Sequence, residues 1–145
     1  MKKKILLVED DADLREMLRT SFRSAGFSVA TADNGVDALN KTRTLSPNLV
    51  LLDLVLPQLD GFAVCETLRR APAMATVPII IMTGLSSELA RLAVLESGAN
   101  DFVIKPVMPS DLVMKMRHWL RHPPQATSTP LAPQPKSSRF LTRVE

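Results

Sequence analysis

Short continuous apolar runs alternate along this chain with stretches in which apolar residues recur every three or four positions. Lys4–Val8 opens the series as an unbroken apolar run, the pattern of a strand covered on both faces of a parallel sheet. Leu14, Met17, Leu18, Phe22 and Ala25 follow at helical spacing, with Asp11 or Asp13 placed to cap the helix and Gly26 to end it. Phe27–Thr31 predicts a second, weaker strand. Gly35–Leu45 predicts a short helix with Val36, Leu39 and Leu45 on one side, stopped ahead of Pro47. Leu49–Leu52 is the third strand and Gly61–Arg70 the third helix. Val77–Met82 is the most β-prone segment, with Pro78 near its start, where a missing N–H is tolerated. Ser86–Ser97 forms the fourth helix, ended by Gly98, and Asp101–Ile104 the fifth strand. Pro109 suits a first helical position and opens a last helix through Leu112, Met116, Trp119 and Leu120.

Strand and helix in strict alternation imply an α/β fold, a parallel sheet with helices on both faces. Its length of 145 residues suits one such domain, expected over residues 1–122. After His122 the character changes to five prolines with Ser, Thr, Ala and Gln, so 123–145 reads as a semi-extended linker or tail, leading either to a frayed end or to an effector domain. That stretch carries Lys136, Arg139, Arg143 and Glu145, so of the net charge of +3 only about one positive charge belongs to the body. A DNA-binding domain shows a basic patch or stripe, so direct nucleic-acid binding by this body is not expected. Met1–Lys4 is basic like the start of a signal peptide. Only Ile5–Val8 follow before Glu9, Asp10 and Asp11, too short for its apolar core, and no run reaches the length of a membrane span. A cytoplasmic protein is the expectation. The single cysteine, Cys65, excludes an intrachain disulfide and reads as a small buried residue of the third helix.

Ligands of open parallel sheets bind beyond the carboxyl ends of the strands. The first strand delivers Glu9 and Asp10 there, the third Asp53, the fourth Thr83 and the fifth Lys105. Each residue taken singly has a plain structural reading, as a cap, a loop acid or a solvated lysine. Together, in this order, they suggest a chemistry. Three carboxylates at one edge need a cation, and all-oxygen ligands without His or Cys select a hard ion such as Mg²⁺. A carboxylate can also serve as a nucleophile toward phosphorus. Phosphoryl transfer asks mainly for positioning and for charge neutralisation, which the metal, the Lys105 ammonium and the Thr83 hydroxyl would share. The apolar run around Asp53 would then carry it to the sheet edge rather than bury it as a charge awaiting a structural partner.

With these residues in view, the chain resembles the receiver domain of two-component response regulators over about residues 2–121. The motifs are VEDD (8–11), DLVLPQLDG (53–61), MTG (82–84) and KP (105–106). The resemblance implies a flavodoxin-like (βα)5 fold with strand order 2-1-3-4-5. It implies Asp53 as phosphoacceptor, fed by a histidine kinase or a histidine phosphotransfer protein. Mg²⁺, replaceable by Mn²⁺, would lie against Glu9, Asp10, Asp53 and the backbone carbonyl of Val55. Thr83 would shift toward the phosphoryl group, Lys105 would pair with it, and Lys105–Pro106 is a candidate cis peptide. Phe102 stands where the family carries an aromatic that follows Thr83, and it reads equally as core packing. Lacking a hydroxyl, it would have to switch through packing alone.

Val55 and Leu85 flank the expected phosphate, and as apolar residues neither can orient an attacking water. Arg91, Asp101, Asp111 and Lys115 fall where such domains form ion pairs across a symmetric dimer, or else make a solvated charged surface. Trp119, Met114 and Met116 read as core or as a partner-facing patch, and His118 and His122 as solvated helix-end residues. An aspartyl-phosphate hydrolase of the haloacid-dehalogenase type would need an acid two residues after its nucleophile, where this chain has Val55. A nucleotide binder would need a glycine- or hydroxyl-rich loop where Glu9, Asp10 and Asp11 stand. A receiver that no longer accepts phosphate is opposed by the complete residue set.

Overall fold

The computed structural model describes residues 1–125; the expected linker of 123–145 lies almost wholly outside the described residues. Five parallel strands form one sheet in the order β2-β1-β3-β4-β5. They are β1 (Lys4–Val8), β2 (Ser28–Ala32), β3 (Leu49–Asp53), β4 (Ile79–Thr83) and β5 (Asp101–Ile104), joined and followed by α1 (Ala12–Ser24), α2 (Gly35–Leu45), α3 (Gly61–Arg70), α4 (Glu88–Glu96) and α5 (Pro109–Arg121). Successive strand residues face opposite sides, and the two sides collect different helices. Leu6, Val8, Val50, Leu52, Ile79 and Ile81 pack with α2, α3 and α4 through Ala38, Val64, Cys65, Leu68 and Val94. Ile5, Leu7, Leu49, Leu51, Ile80 and Met82 pack with α1 and α5 through Leu18, Phe22, Leu112 and Met116. Burial on both faces is why β1, β3 and β4 read as continuous apolar runs.

Most predicted bounds hold within two residues, and the departures have local causes. β4 starts at Ile79 because Pro78 has no N–H; its carbonyl instead accepts from Val50 N at 3.0 Å. α4 starts after Ser87, whose side chain accepts from Ala90 N, and is shorter than the predicted Ser86–Ser97. Asp11, not Asp13, caps α1, accepting from Asp13 N and Leu14 N. In α2 the buried residues are Gly35, Ala38 and Thr42, while Val36 faces solvent. A single 3-10 turn, Pro72–Met74, precedes β4 and was not predicted. Lys105–Pro106 is cis. Gly98, at φ +106° and with Arg69 Cγ 2.5 Å from where a Cβ would stand, requires glycine.

Arg69 explains why the α4–β5 turn sits where it does. Its guanidinium donates to the carbonyls of Gly98, Met74 and Val77 at 2.8, 2.7 and 2.9 Å and to Asn100 Oδ1 at 2.6 Å. Asn100 Oδ1 also accepts from Ile79 N, and Asn100 N donates to Ile79 O. One side chain thus ties α3, the 3-10 turn, the start of β4 and the entry to β5. Arg69→Met keeps the stem but withdraws a donor from four oxygens, of which Asn100 Oδ1 keeps Ile79 N and Met74 O keeps Val77 N. A loss of about 2–4 kcal/mol in urea unfolding is expected; a change under about 0.5 kcal/mol would show that water replaces these bonds freely.

Candidate functional site at the carboxyl edge of the sheet

The chain leaves β1 for β2 on one side and returns to β3 on the other, so β1 and β3 lie side by side where strand order reverses. Crevices form at such a point. Val8 pairs with Leu52, Asp53 with Met82 and Thr83 with Ile104, which brings the residues just beyond these positions to one edge. Glu9, Asp10 and Asp53 each place a carboxylate oxygen within 4.8 Å of the others.

Glu9 is fully buried and Asp53 is 4% exposed, whereas Asp10 faces solvent. Burial of Asp53 corrects the expectation that the apolar run carries it to the edge rather than burying it beside a structural partner. That partner is Lys105, whose Nζ donates to Asp53 Oδ2 and to Glu9 Oε1, both at 3.1 Å. Lys105 N donates to Thr83 O at 2.8 Å, continuing β5 against β4 and aiming the side chain back over β3 and β1. Glu9 Oε2 accepts from Asp11 N at 3.1 Å, and Asp53 Oδ1 from Val55 N at 3.3 Å. The Arg15 side chain reaches back from α1, Nη1 donating to Glu9 O at 2.9 Å.

Burial pushes the Glu9 carboxyl up to about 7, with the neighbouring Asp53 charge adding to it and the bonds from Asp11 N and Lys105 opposing it. Burial alone would lower the Lys105 ammonium, but its bonds to Glu9 and Asp53 and their charges outweigh that and raise it. The balance is therefore acidic: three carboxylates cluster, and the one ammonium bonds two of them. A cation with a preference for oxygen fits that deficit, and the donor set, free of His and Cys, suits Mg²⁺ or Mn²⁺ better than a softer metal.

Thr83 Oγ1 accepts from Leu85 N at 2.9 Å, linking the edge to the segment that enters α4. Val55 and Leu85 are 73% and 55% exposed and rim the crevice with apolar surface. Phe102 is half-buried against the α2–α4 side of the core. Three of the four charged residues expected on the α4, β5 and α5 face, Arg91, Asp101 and Lys115, find partners within the chain. Arg91 pairs with Glu88, and Asp101 accepts from Lys115 Nζ at 3.1 Å and from Trp119 Nε1 at 2.9 Å, while Asp111 is exposed. Met116 is core, Met114 is 70% exposed and Trp119 is half-buried. His118 and His122 are exposed at the end of α5. Periodicity and motif spacing did not single out Arg15, Arg69 or the Trp119 bond, because each acts on a backbone oxygen or a neighbour brought close only by folding.

A parallel sheet with helices on both faces, its switch point edged by three acids, a hydroxyl and a lysine, defines an open α/β domain with an acidic crevice. The chain belongs to the response regulator receiver domain family of two-component systems, whose model matches residues 5–117. The DNA-binding response regulator MtrA of Mycobacterium leprae is 44% identical over 121 residues, covering 83% of this chain and 52% of MtrA. The chain spans about half the length of the curated relatives it matches. Among solved structures, the BeF3-activated N-terminal receiver domain of Klebsiella pneumoniae RstA aligns with a TM-score of 0.76 at 32% identity, over 82% of this chain and 99% of that one. The receiver domain of the sensor histidine kinase PA1611 from Pseudomonas aeruginosa, solved with a magnesium ion in its active site cleft, aligns at 0.77 and 28%, over 83% and 99%. Among the described residues no helix is long and apolar enough to cross a membrane.

Proposed function

We propose that this domain is a phosphorylation-operated switch in which Asp53 receives a phosphoryl group from a phosphohistidine of a sensor kinase or phosphotransfer protein. The observation that carries this reading is Lys105 Nζ at 3.1 Å from both Asp53 and Glu9 inside the acidic cluster. An Asp53 carboxylate oxygen attacks phosphorus, the P–N bond breaks, and its electron pair leaves with the imidazole, which takes a proton. Lys105 neutralises charge on the transferred group, and the Thr83 hydroxyl turns to donate to it. Glu9, Asp10, Asp53 and the Val55 carbonyl would hold Mg²⁺, whose part when bound is to neutralise phosphoryl oxygens.

Acetyl phosphate supplies the test. The intact chain should gain one phosphoryl mass in the presence of Mg²⁺ and none when the metal is chelated. Labelling indifferent to chelation would overturn the metal assignment, and no labelling at all would favour a domain that works as a phosphate-independent interaction module. No turnover of phosphomonoesters is expected, since Val55 offers no acid or base two residues beyond Asp53. For the same reason, with Leu85 equally inert, the acyl phosphate should hydrolyse slowly. A lifetime of minutes or less at neutral pH would contradict this.

The relatives support a reading of the output. MtrA is named a DNA-binding response regulator, so this domain is read as controlling an effector, with the α4–β5–α5 face as its working surface. A symmetric dimer through that face would draw on Arg91, Asp101, Asp111 and Lys115. Asp101 and Lys115 would first have to leave each other, and Asp101 also Trp119.

A further inference from the structure

We propose that Arg15 is a positioning residue for the divalent cation: it holds the segment that presents Glu9 and Asp10, although its own charge opposes the ion. The assignment rests on the metal reading above. Apart from the Asp11 cap that fastens its end to α1, the segment between β1 and α1 has few ties. Glu9 N donates to Ala32 O at 3.0 Å, Asp11 N to the Glu9 carboxylate, and Arg15 Nη1 to Glu9 O at 2.9 Å. Asp10 lies between these ties, exposed, with a carboxylate oxygen already within 4.8 Å of those of Glu9 and Asp53.

The Glu9 carbonyl belongs to the first residue after β1, and Arg15 is the side chain that takes it up. Because Arg15 is itself anchored in α1, with its backbone N donating to Asp11 O at 2.9 Å, the contact closes a short ring around Asp10. A half-buried guanidinium beside an acidic cluster costs the site attraction for a cation, so a purely electrostatic role would be counterproductive there. Groups that hydrogen-bond to the ligand-bearing residues tune metal affinity by about ten- to a hundredfold in other sites.

Charge and position therefore predict opposite signs for one substitution. Arg15→Gln removes a positive charge, which by Coulomb's law alone tightens Mg²⁺ binding. It also shortens the side chain away from Glu9 O, which loosens the Glu9–Asp10 segment. Calorimetric titration of the full chain with MgCl2 should show about tenfold weaker binding in Arg15→Gln. Arg15→Lys, which keeps the charge and can reach the carbonyl with one donor, should recover part of that loss. Binding by Arg15→Gln equal to or tighter than wild type overturns the assignment. Equal weakening by both variants, accompanied by a lower melting temperature without metal, also overturns it, because Arg15 would then serve the fold rather than the site. Wild-type protein that takes up no Mg²⁺ sinks the metal reading itself, an outcome distinct from both.

Discussion

Asp53→Asn is expected to abolish phosphoryl labelling by acetyl phosphate while the domain stays folded. The amide has the volume of the carboxylate, so the tightly packed end of β3, buried over all five residues, is undisturbed. Its oxygen can still accept from Lys105, and the repulsion between Asp53 and Glu9 disappears. What is lost is nucleophilicity, since an amide oxygen does not form a stable bond to phosphorus under these conditions. Melting within about 1 kcal/mol of wild type, with no added phosphoryl mass, is the expected pair of results. Equal labelling of the variant would place the acceptor elsewhere, with Glu9 or Asp10 first to be tested.

Removing the ammonium should destabilise the fold in a way that depends on pH. Lys105→Met leaves Glu9 and Asp53 facing each other at a buried edge without compensation. Breaking a buried pair from one side costs about 3–5 kcal/mol, and the partial exposure of Lys105 reduces that to about 2. The cost should depend on pH in a definite direction. The Glu9 carboxyl, raised to about 7 from 4.5, is protonated more readily in the folded chain than in the unfolded one. Between those values the folded state binds the extra proton, so stability declines as pH rises through the window. In the wild type Lys105 softens that decline; in the variant it should steepen, and Mg²⁺ should restore more stability than it does in wild type. Chemical unfolding at about pH 5 and pH 8, with and without Mg²⁺, reads all of this. A pH-independent loss would mean that Lys105 contributes packing rather than charge.

The sequence alone determined the element order, the parallel sheet and the set of residues at its carboxyl edge. That was legible because the signals are local: apolar runs of four or five residues, helical spacing, caps and breakers. Polar residues placed directly after such runs must emerge at the strand ends, so Glu9, Asp53, Thr83 and Lys105 could be named before any coordinates. The tertiary structure alone decided how those residues share charge. Whether Asp53 is exposed or buried, and whether Lys105 reaches it, depends on strand order and register, which juxtapose positions 52 residues apart. The same holds for Arg69 binding the turn before β5 and for Trp119 and Lys115 holding Asp101. Each is a polar bond across a large sequence separation, invisible to periodicity because hydrogen bonding is settled by distance and direction in space, whereas burial pattern is written along the chain.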